Sequence, residues 1–273
     1  MTTSRTSDEL IKYATFISGI IPEIDKQAIV TLAQAAIKYY GGSSEQRNML
    51  RRLQELENQW YQSLVNGQPD YTVYDDPYML ADVYACWAVY SYKYLRLLQT
   101  RNKIAGQQES FAELTQAHVR GVLDMGCGPA YTTAAMKRIY PDANVFGTQL
   151  PTSAQWRVAK AMGSMHQFNV VPSPADVTAP IDLILASEFF EHLLDPYTEM
   201  RDVVSRFAPK YFVIANSFNT VSVGHFETYY DGATTIPAKD ASRRFNALMR
   251  ELGYQKVATK FWNGRPTIWS LKR

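Results

Sequence analysis

The hydrophobic positions of this chain follow one rhythm up to about residue 118 and another after it. In the first region apolar residues recur at three- and four-residue steps, the period of helices with one buried face. Ile29, Leu32, Ala33, Ala36 and Ile37 mark a helix that opens near Asp25 and stops at Gly41 and Gly42. Leu50, Leu53, Leu56 and Trp60 mark a second, opening at Ser43 and Ser44 and ending at Asn66 and Gly67. Residues 68–77, rich in turn formers and tyrosine, interrupt the pattern. A third helix is predicted over 78–99, and the polar stretch 102–109 reads as a linker.

From Arg120 onward, short apolar runs alternate with helix-length segments. Residues 121–125, 144–147, 167–171, 181–186 and 211–215 read as five strands, with helices near 130–139, 153–162 and 196–207 between them. Such alternation predicts βαβ units around a parallel sheet buried on both faces. The end differs. A helix over 240–252 is stopped by Gly253, and the runs 255–262 and 266–271 flank Asn263 and Gly264, a two-residue hairpin signal. The expectation is an α/β fold: a doubly wound, seven-stranded, mostly parallel sheet with a C-terminal antiparallel hairpin, over 119–273. A helical cap over 1–118 precedes it.

Composition narrows the class. A chain of 273 residues that is 46% hydrophobic buries roughly three quarters of the surface it exposes when unfolded, so it needs no disulfide or metal staple. Its two cysteines, Cys86 and Cys127, and the lack of a secretory leader lead to the expectation of a reduced, cytoplasmic setting. No run approaches the ~18 uninterrupted apolar residues of a membrane-spanning helix. Ordinary glycine and proline usage excludes collagen-like and low-complexity chains. The net charge of +2 hides an asymmetry: from Lys239 onward nine basic residues face two acidic ones, a surplus of +7 that leaves −5 on residues 1–238. A basic end of this kind is either an attractor for a polyanion or a solvated face.

The most informative segment is Val-Leu-Asp-Met-Gly-Cys-Gly-Pro-Ala, residues 122–130. A glycine turn between strand and helix lets a ligand approach the backbone, and the helix N-terminus offers N–H groups to it. The spacing Gly126-x-Gly128-x-x-Tyr131 lacks the third glycine of a dinucleotide fingerprint. Asp124, two residues before the first glycine, would repel a pyrophosphate and suit a ligand that brings a cation or amine.

This segment resembles the first motif of class I S-adenosylmethionine-dependent methyltransferases, whose sheet also has seven strands and ends in an antiparallel hairpin. The resemblance covers about 120–273. It implies that S-adenosyl-L-methionine binds here, with Asp124, Gly126, Cys127 and Gly128 at its amino-acid part. Where that family usually has an acid to grip the ribose hydroxyls, this chain has Gln149, an acceptor without a carboxylate's charge. Asp176 is the candidate acid on the adenine side, with an ordinary surface aspartate as the other reading.

After the fourth strand comes Ser-Glu-Phe-Phe-Glu-His-Leu-Leu-Asp-Pro, residues 187–196. Ligands of open α/β sheets sit beyond the carboxyl ends of strands, which places Glu188, Glu191 and His192 at the predicted cleft. A helical turn from Glu188 would set all three on one face. Two carboxylates and an imidazole suit proton transfer, a divalent cation, or positioning of the cofactor. The run is similar to one in ubiquinone-pathway O-methyltransferases. It is also similar to one in the enzymes that 2′-O-methylate the 3′ end of small RNAs, where it supplies metal ligands with a later histidine; His225 stands in that place here. Asn216 and Ser217 fall where they would line an acceptor pocket. His118 and His166, placed in a linker and a loop, receive no role.

The predicted helix 78–99 carries Tyr84, Trp87, Tyr90, Tyr92 and Tyr94, after Tyr71 and Tyr74 in the preceding loop. Most of that stripe reads as core, and the remainder as a lid able to stack on a flat acceptor. The sequence is thus expected to encode a methyltransferase acting on an oxygen or nitrogen of a small molecule, with no membrane partner. The alternatives are an RNA or nucleotide methyltransferase, motivated by the basic end, and an inactive partner subunit, motivated by Gln149. An NAD-type oxidoreductase fits the fold but not Asp124.

Overall fold

In β3 (Gly121–Met125) and β6 (Leu183–Ser187) every residue is buried, the mark of strands covered on both faces. The computed structural model describes residues 44–76, 79, 80, 83, 101–104, 107–110, 119–220, 222–257 and 266–272. The helix predicted over 25–42, and all but three residues of the one predicted over 78–99, lie outside these, as does the turn at Asn263 and Gly264.

The remaining strands of the main sheet are β4 (Asn144–Thr148), β5 (Asn169–Val171), β7 (Tyr211–Ala215), β10 (Tyr254–Val257) and β11 (Thr267–Leu271). Their order is β10-β11-β7-β6-β3-β4-β5. The five central and right-hand strands run parallel, while β11 pairs antiparallel with both β7 and β10. This is the seven-stranded sheet with its terminal hairpin that the pattern predicts. Helices α2 (Tyr131–Ile139) and α3 (Ala154–His166) link β3 to β4 and β4 to β5. Helix α4 (Pro196–Phe207) links β6 to β7, and α5 (Ala238–Glu251) leads into β10. The strand order reverses direction after β5, so right-handed crossovers put α2 and α3 on one face and α4 on the other. His166 closes α3 rather than lying in a loop.

The second face is also covered by the N-terminal region. Helix α1 (Ser44–Val65) buries Leu56 and Trp60 in one cluster with Phe190, Met200, Phe218, Phe226 and Phe245. A short 3₁₀ turn, Tyr71–Asp75, follows, capped by Asp70, whose carboxylate accepts from the N–H of Thr72. The expected linker 102–109 is instead a two-stranded antiparallel hairpin, β1 (Arg101–Ile104) with β2 (Gln107–Ser110). Its strands are almost wholly polar, so no apolar period announces them. A second such hairpin, β8 (Thr228–Asp231) with β9 (Thr234–Pro237), stands between β7 and α5. Asp231 fastens it, receiving bonds from Arg201 and Arg244, both at 2.6 Å.

No helix among the described residues is long and apolar enough to cross a membrane.

Candidate active site

Strand order changes hand between β3 and β6, and open α/β sheets hold ligands at the carboxyl ends of strands beside such a reversal. Met125 pairs with Ala186 across these two strands, so the glycine loop after β3 and the acidic run after β6 leave the sheet side by side.

The loop is built from left-handed backbone. Gly126 has φ 63°, Gly128 φ 54° and Ala130 φ 62°. A side chain at Gly126 would overlap the ring of Phe189, which lies over it. The loop is also tied to the end of β4: Thr148 accepts the Gly126 N–H through Oγ1 at 2.9 Å and the Cys127 N–H through its carbonyl at 2.8 Å. Beneath it, Asp124 is 2% exposed and its Oδ2 accepts from the hydroxyls of Thr132, at 2.8 Å, and Thr133, at 2.6 Å. Burial pushes the Asp124 carboxyl up to about 6, against the pull of the two hydroxyls. Cys127 is buried with its thiol raised, by burial first and by the neighbouring Asp124 second. An inert thiol of this kind fills space.

Gln149 is turned onto its own chain. Its Oε1 accepts from the Leu150 N–H at 2.8 Å, and its Nε2 donates to Gln155 Oε1 at 3.1 Å. Gln155, in the first turn of α3, reaches back to the glycine loop: its Oε1 is 3.1 Å from where a Cβ on Gly128 would stand. Asp176 is exposed and closes a capping box, accepting from the Ser173 N–H and hydroxyl at 3.1 and 2.8 Å. That engagement is the ordinary structural role open to it.

The acidic run does not begin as a helical turn. Glu188 has φ 49°, a conformation that costs a non-glycine residue about 1–2 kcal/mol and that persists where surrounding structure enforces it. Here the Glu188 N–H is held by the Ala215 carbonyl at 2.7 Å. A 3₁₀ turn, Phe190–His192, follows. Glu191 is fully buried, accepting from the Ser217 N–H at one oxygen. With the Asn216 amide oriented to suit its neighbours, its nitrogen donates to Glu191 Oε2 at 3.2 Å. The Ser217 hydroxyl reaches Glu188 Oε1 at 3.5 Å. Asn216 and Ser217, expected to line an acceptor pocket, thus serve the two carboxylates. Burial, and then the adjacent Glu188 carboxyl, raise the Glu191 carboxyl well above the usual range.

The third member of the cluster is His225. One ligating atom from each of Glu188, Glu191 and His225 lies within 4.8 Å of the others. The His225 Nδ1 is 2.8 Å from the Thr220 carbonyl. A carbonyl only accepts, so Nδ1 carries the proton at this contact, and the Ser217 carbonyl is a second acceptor for the ring. His192, expected on the same face as the two glutamates, is directed elsewhere. Its Nδ1 is 3.0 Å from the Tyr74 hydroxyl, and its ring meets His225 edge to face with centroids 4.8 Å apart. Burial, and then the nearby His225, lower it to about 3.

Two residues of the N-terminal region complete the wall. Trp60, fully buried, donates from Nε1 to the His225 carbonyl at 2.8 Å. Tyr74 reaches the Val223 carbonyl at 3.2 Å as well as His192. Neither is signalled by spacing, since each contact spans more than a hundred residues of sequence; nor is Gln155 or Thr148.

Among solved structures the chain is similar to the mitomycin 7-O-methyltransferase MmcR, with a TM-score of 0.53 and 12% identity over 81% of this chain and 67% of that one. It is similar to an O-methyltransferase family protein from Burkholderia thailandensis, with a TM-score of 0.52 and 14% identity over 90% and 71%. The third is PigF with SAH, at TM-score 0.52 and 16% identity over 83% and 72%. The fold is the one these methyltransferases share. No protein-family model matches the chain, nor does a curated protein sequence.

Proposed function

We propose that this protein is an S-adenosylmethionine-dependent methyltransferase acting on an oxygen or nitrogen of a small-molecule acceptor. One observation carries the reading: a left-handed glycine loop above the buried Asp124 leaves the sheet beside the Glu188–Glu191–His225 cluster. Methyltransfer needs those two neighbours, a place for the sulfonium amino acid and a place for the acceptor's proton. The fold shared with MmcR and PigF supports it.

The residues present fit the cofactor. Gly126 and Gly128 keep the loop's backbone free of side chains, with the Phe189 ring and the Gln155 amide lying against it, and Asp124 would offset the ammonium of its methionyl part. Gln149 and Gln155 would offer their amides to the ribose. Once bound, S-adenosylmethionine supplies an already activated methyl group, so alignment of the acceptor and removal of its proton are what remain for the protein. Glu191 is the better proton acceptor of the cluster. Burial strengthens the hold of the Glu191 carboxyl on a proton and weakens that of the His192 imidazole, so of the two the glutamate is the more basic. Glu188 shares the load by keeping Glu191 basic.

The same three side chains, Glu188, Glu191 and His225, would hold a divalent cation, which would polarise an acceptor oxygen when present. The donor set fits: two hard carboxylates and an imidazole. A polyanionic acceptor is not favoured. Within the basic C-terminal segment Arg243 pairs with Asp240 and Arg244 with Asp231 and Glu251, so part of its charge is used internally.

Calorimetric titration with S-adenosylmethionine and S-adenosylhomocysteine tests the reading. Micromolar binding by the wild type that is lost in Asp124→Asn is expected. Absence of binding by the folded wild type overturns it. An acceptor screen with and without exhaustive chelation then separates the proton-acceptor role of the cluster from the cation role.

A further inference from the structure

The Tyr71–Asp75 turn delivers one phenol into the site from a region more than a hundred residues upstream. The Tyr74 hydroxyl lies 3.0 Å from His192 Nδ1 and 3.2 Å from the Val223 carbonyl. The carbonyl can only accept, so the phenolic proton goes to Val223. The phenolic oxygen is then left as an acceptor, which Nδ1 meets by carrying its hydrogen, and the Gly224 carbonyl is a second acceptor for this ring. The contact is enforced sterically as well. Gly224, at φ 81°, leaves no room: a Cβ there would overlap both the Tyr74 hydroxyl and His192 Nδ1. The two rings also meet edge to face, 6.3 Å between centroids. On its other side the His192 ring rests against that of His225, 4.8 Å between centroids and 80° between planes, and His225 faces Glu188 and Glu191.

We propose that Tyr74 is a positioning residue that fixes His192 as the Nδ1–H tautomer, and that His192 in turn braces His225 against the glutamate pair. Tyr74 acts on the carboxylates through two imidazoles set edge to face. The phenol therefore contributes geometry rather than a proton to the reaction. This assignment deepens the methyltransfer reading, on which its catalytic consequence rests, but the tautomer itself is a property of the unliganded protein.

The test is a long-range ¹H–¹⁵N spectrum of the full chain labelled at histidine, recorded without cofactor or acceptor. Wild-type His192 is expected to show a protonated Nδ1 and an unprotonated Nε2. Tyr74→Phe is expected to lose that single state, giving averaged or reversed nitrogen shifts at His192 and a displaced His225 signal. Tyr71→Phe, which removes a phenol from the same turn, is expected to leave both histidines unchanged. With an acceptor in hand, Tyr74→Phe should lower kcat about tenfold, as loss of a supporting partner does, with KM altered less than twofold. An Nε2–H tautomer in the wild type overturns the proposal whether or not the variant folds, and so does a His192 spectrum indifferent to Tyr74→Phe. A protein that passes this test yet binds no S-adenosylmethionine removes the methyltransfer reading and leaves the Tyr74 assignment standing.

Discussion

Thr133 Oγ1 lies 2.6 Å from Asp124 Oδ2, so the helix that follows the glycine loop holds the carboxylate beneath it. The arrangement is costly to the folded state. Burial raises Asp124 from its ordinary value to about 6, which means that the folded chain binds this proton more tightly than the unfolded one does. The associated stability is present at acid pH and is lost as pH rises through about 6.

The first prediction follows. Asp124→Asn keeps an acceptor for the threonines and removes the buried charge, so at pH 8 it should be more stable than the wild type by about 1–3 kcal/mol. The gain should fade below pH 5, and the variant should bind no S-adenosylmethionine. Paired thermal melts and titrations at the two pH values check both halves. In the wild type, affinity for the cofactor should fall as pH drops below 6, because binding an ammonium requires the Asp124 anion.

Glu188 carries a second prediction. Its φ of 49° suits glycine, and its carboxyl burdens Glu191. Glu188→Gly should relieve both, stabilising the protein by about 1 kcal/mol, while removing turnover. A denaturant midpoint that falls instead would show that the Glu188 side chain holds the β6–β7 end together.

Gln149 carries a third. Glu at this position retains the acceptor for the Leu150 N–H, and the Gln155 amide can turn to donate to it. A carboxylate makes the stronger bond to a ribose hydroxyl, so Gln149→Glu should tighten S-adenosylmethionine binding about tenfold with no loss of stability. Unchanged affinity would place the ribose away from this side chain.

The sheet was legible in sequence because its central strands are buried on both faces and so read as unbroken apolar runs bounded by helix-length segments. The glycine loop was legible because left-handed backbone selects glycine, and the carboxylate pair because it follows a strand end. What escaped has physical reasons. The hairpin β1–β2 pairs almost wholly polar strands, and β8–β9 buries Tyr229 alone while its turn end is fastened by Arg201–Asp231, so neither presents an apolar period. Helical spacing from Glu188 groups His192 with the glutamates, and the left-handed backbone at Glu188 breaks that spacing. Tyr74, Trp60 and Gln155 enter the site through contacts that no local pattern encodes.

The bond from Trp60 Nε1 to the His225 carbonyl joins residues 165 apart in sequence. Closing so long a loop is paid in chain entropy before the contact returns anything, and non-local contacts of this kind slow folding. The parallel sheet can assemble from neighbouring βαβ units, whereas the wall holding His192 and His225 waits for the N-terminal helix to arrive. Refolding should therefore pass through a species with native sheet signal and an unformed site, and Trp60 fluorescence should reach its final value after the far-ultraviolet signal has done so.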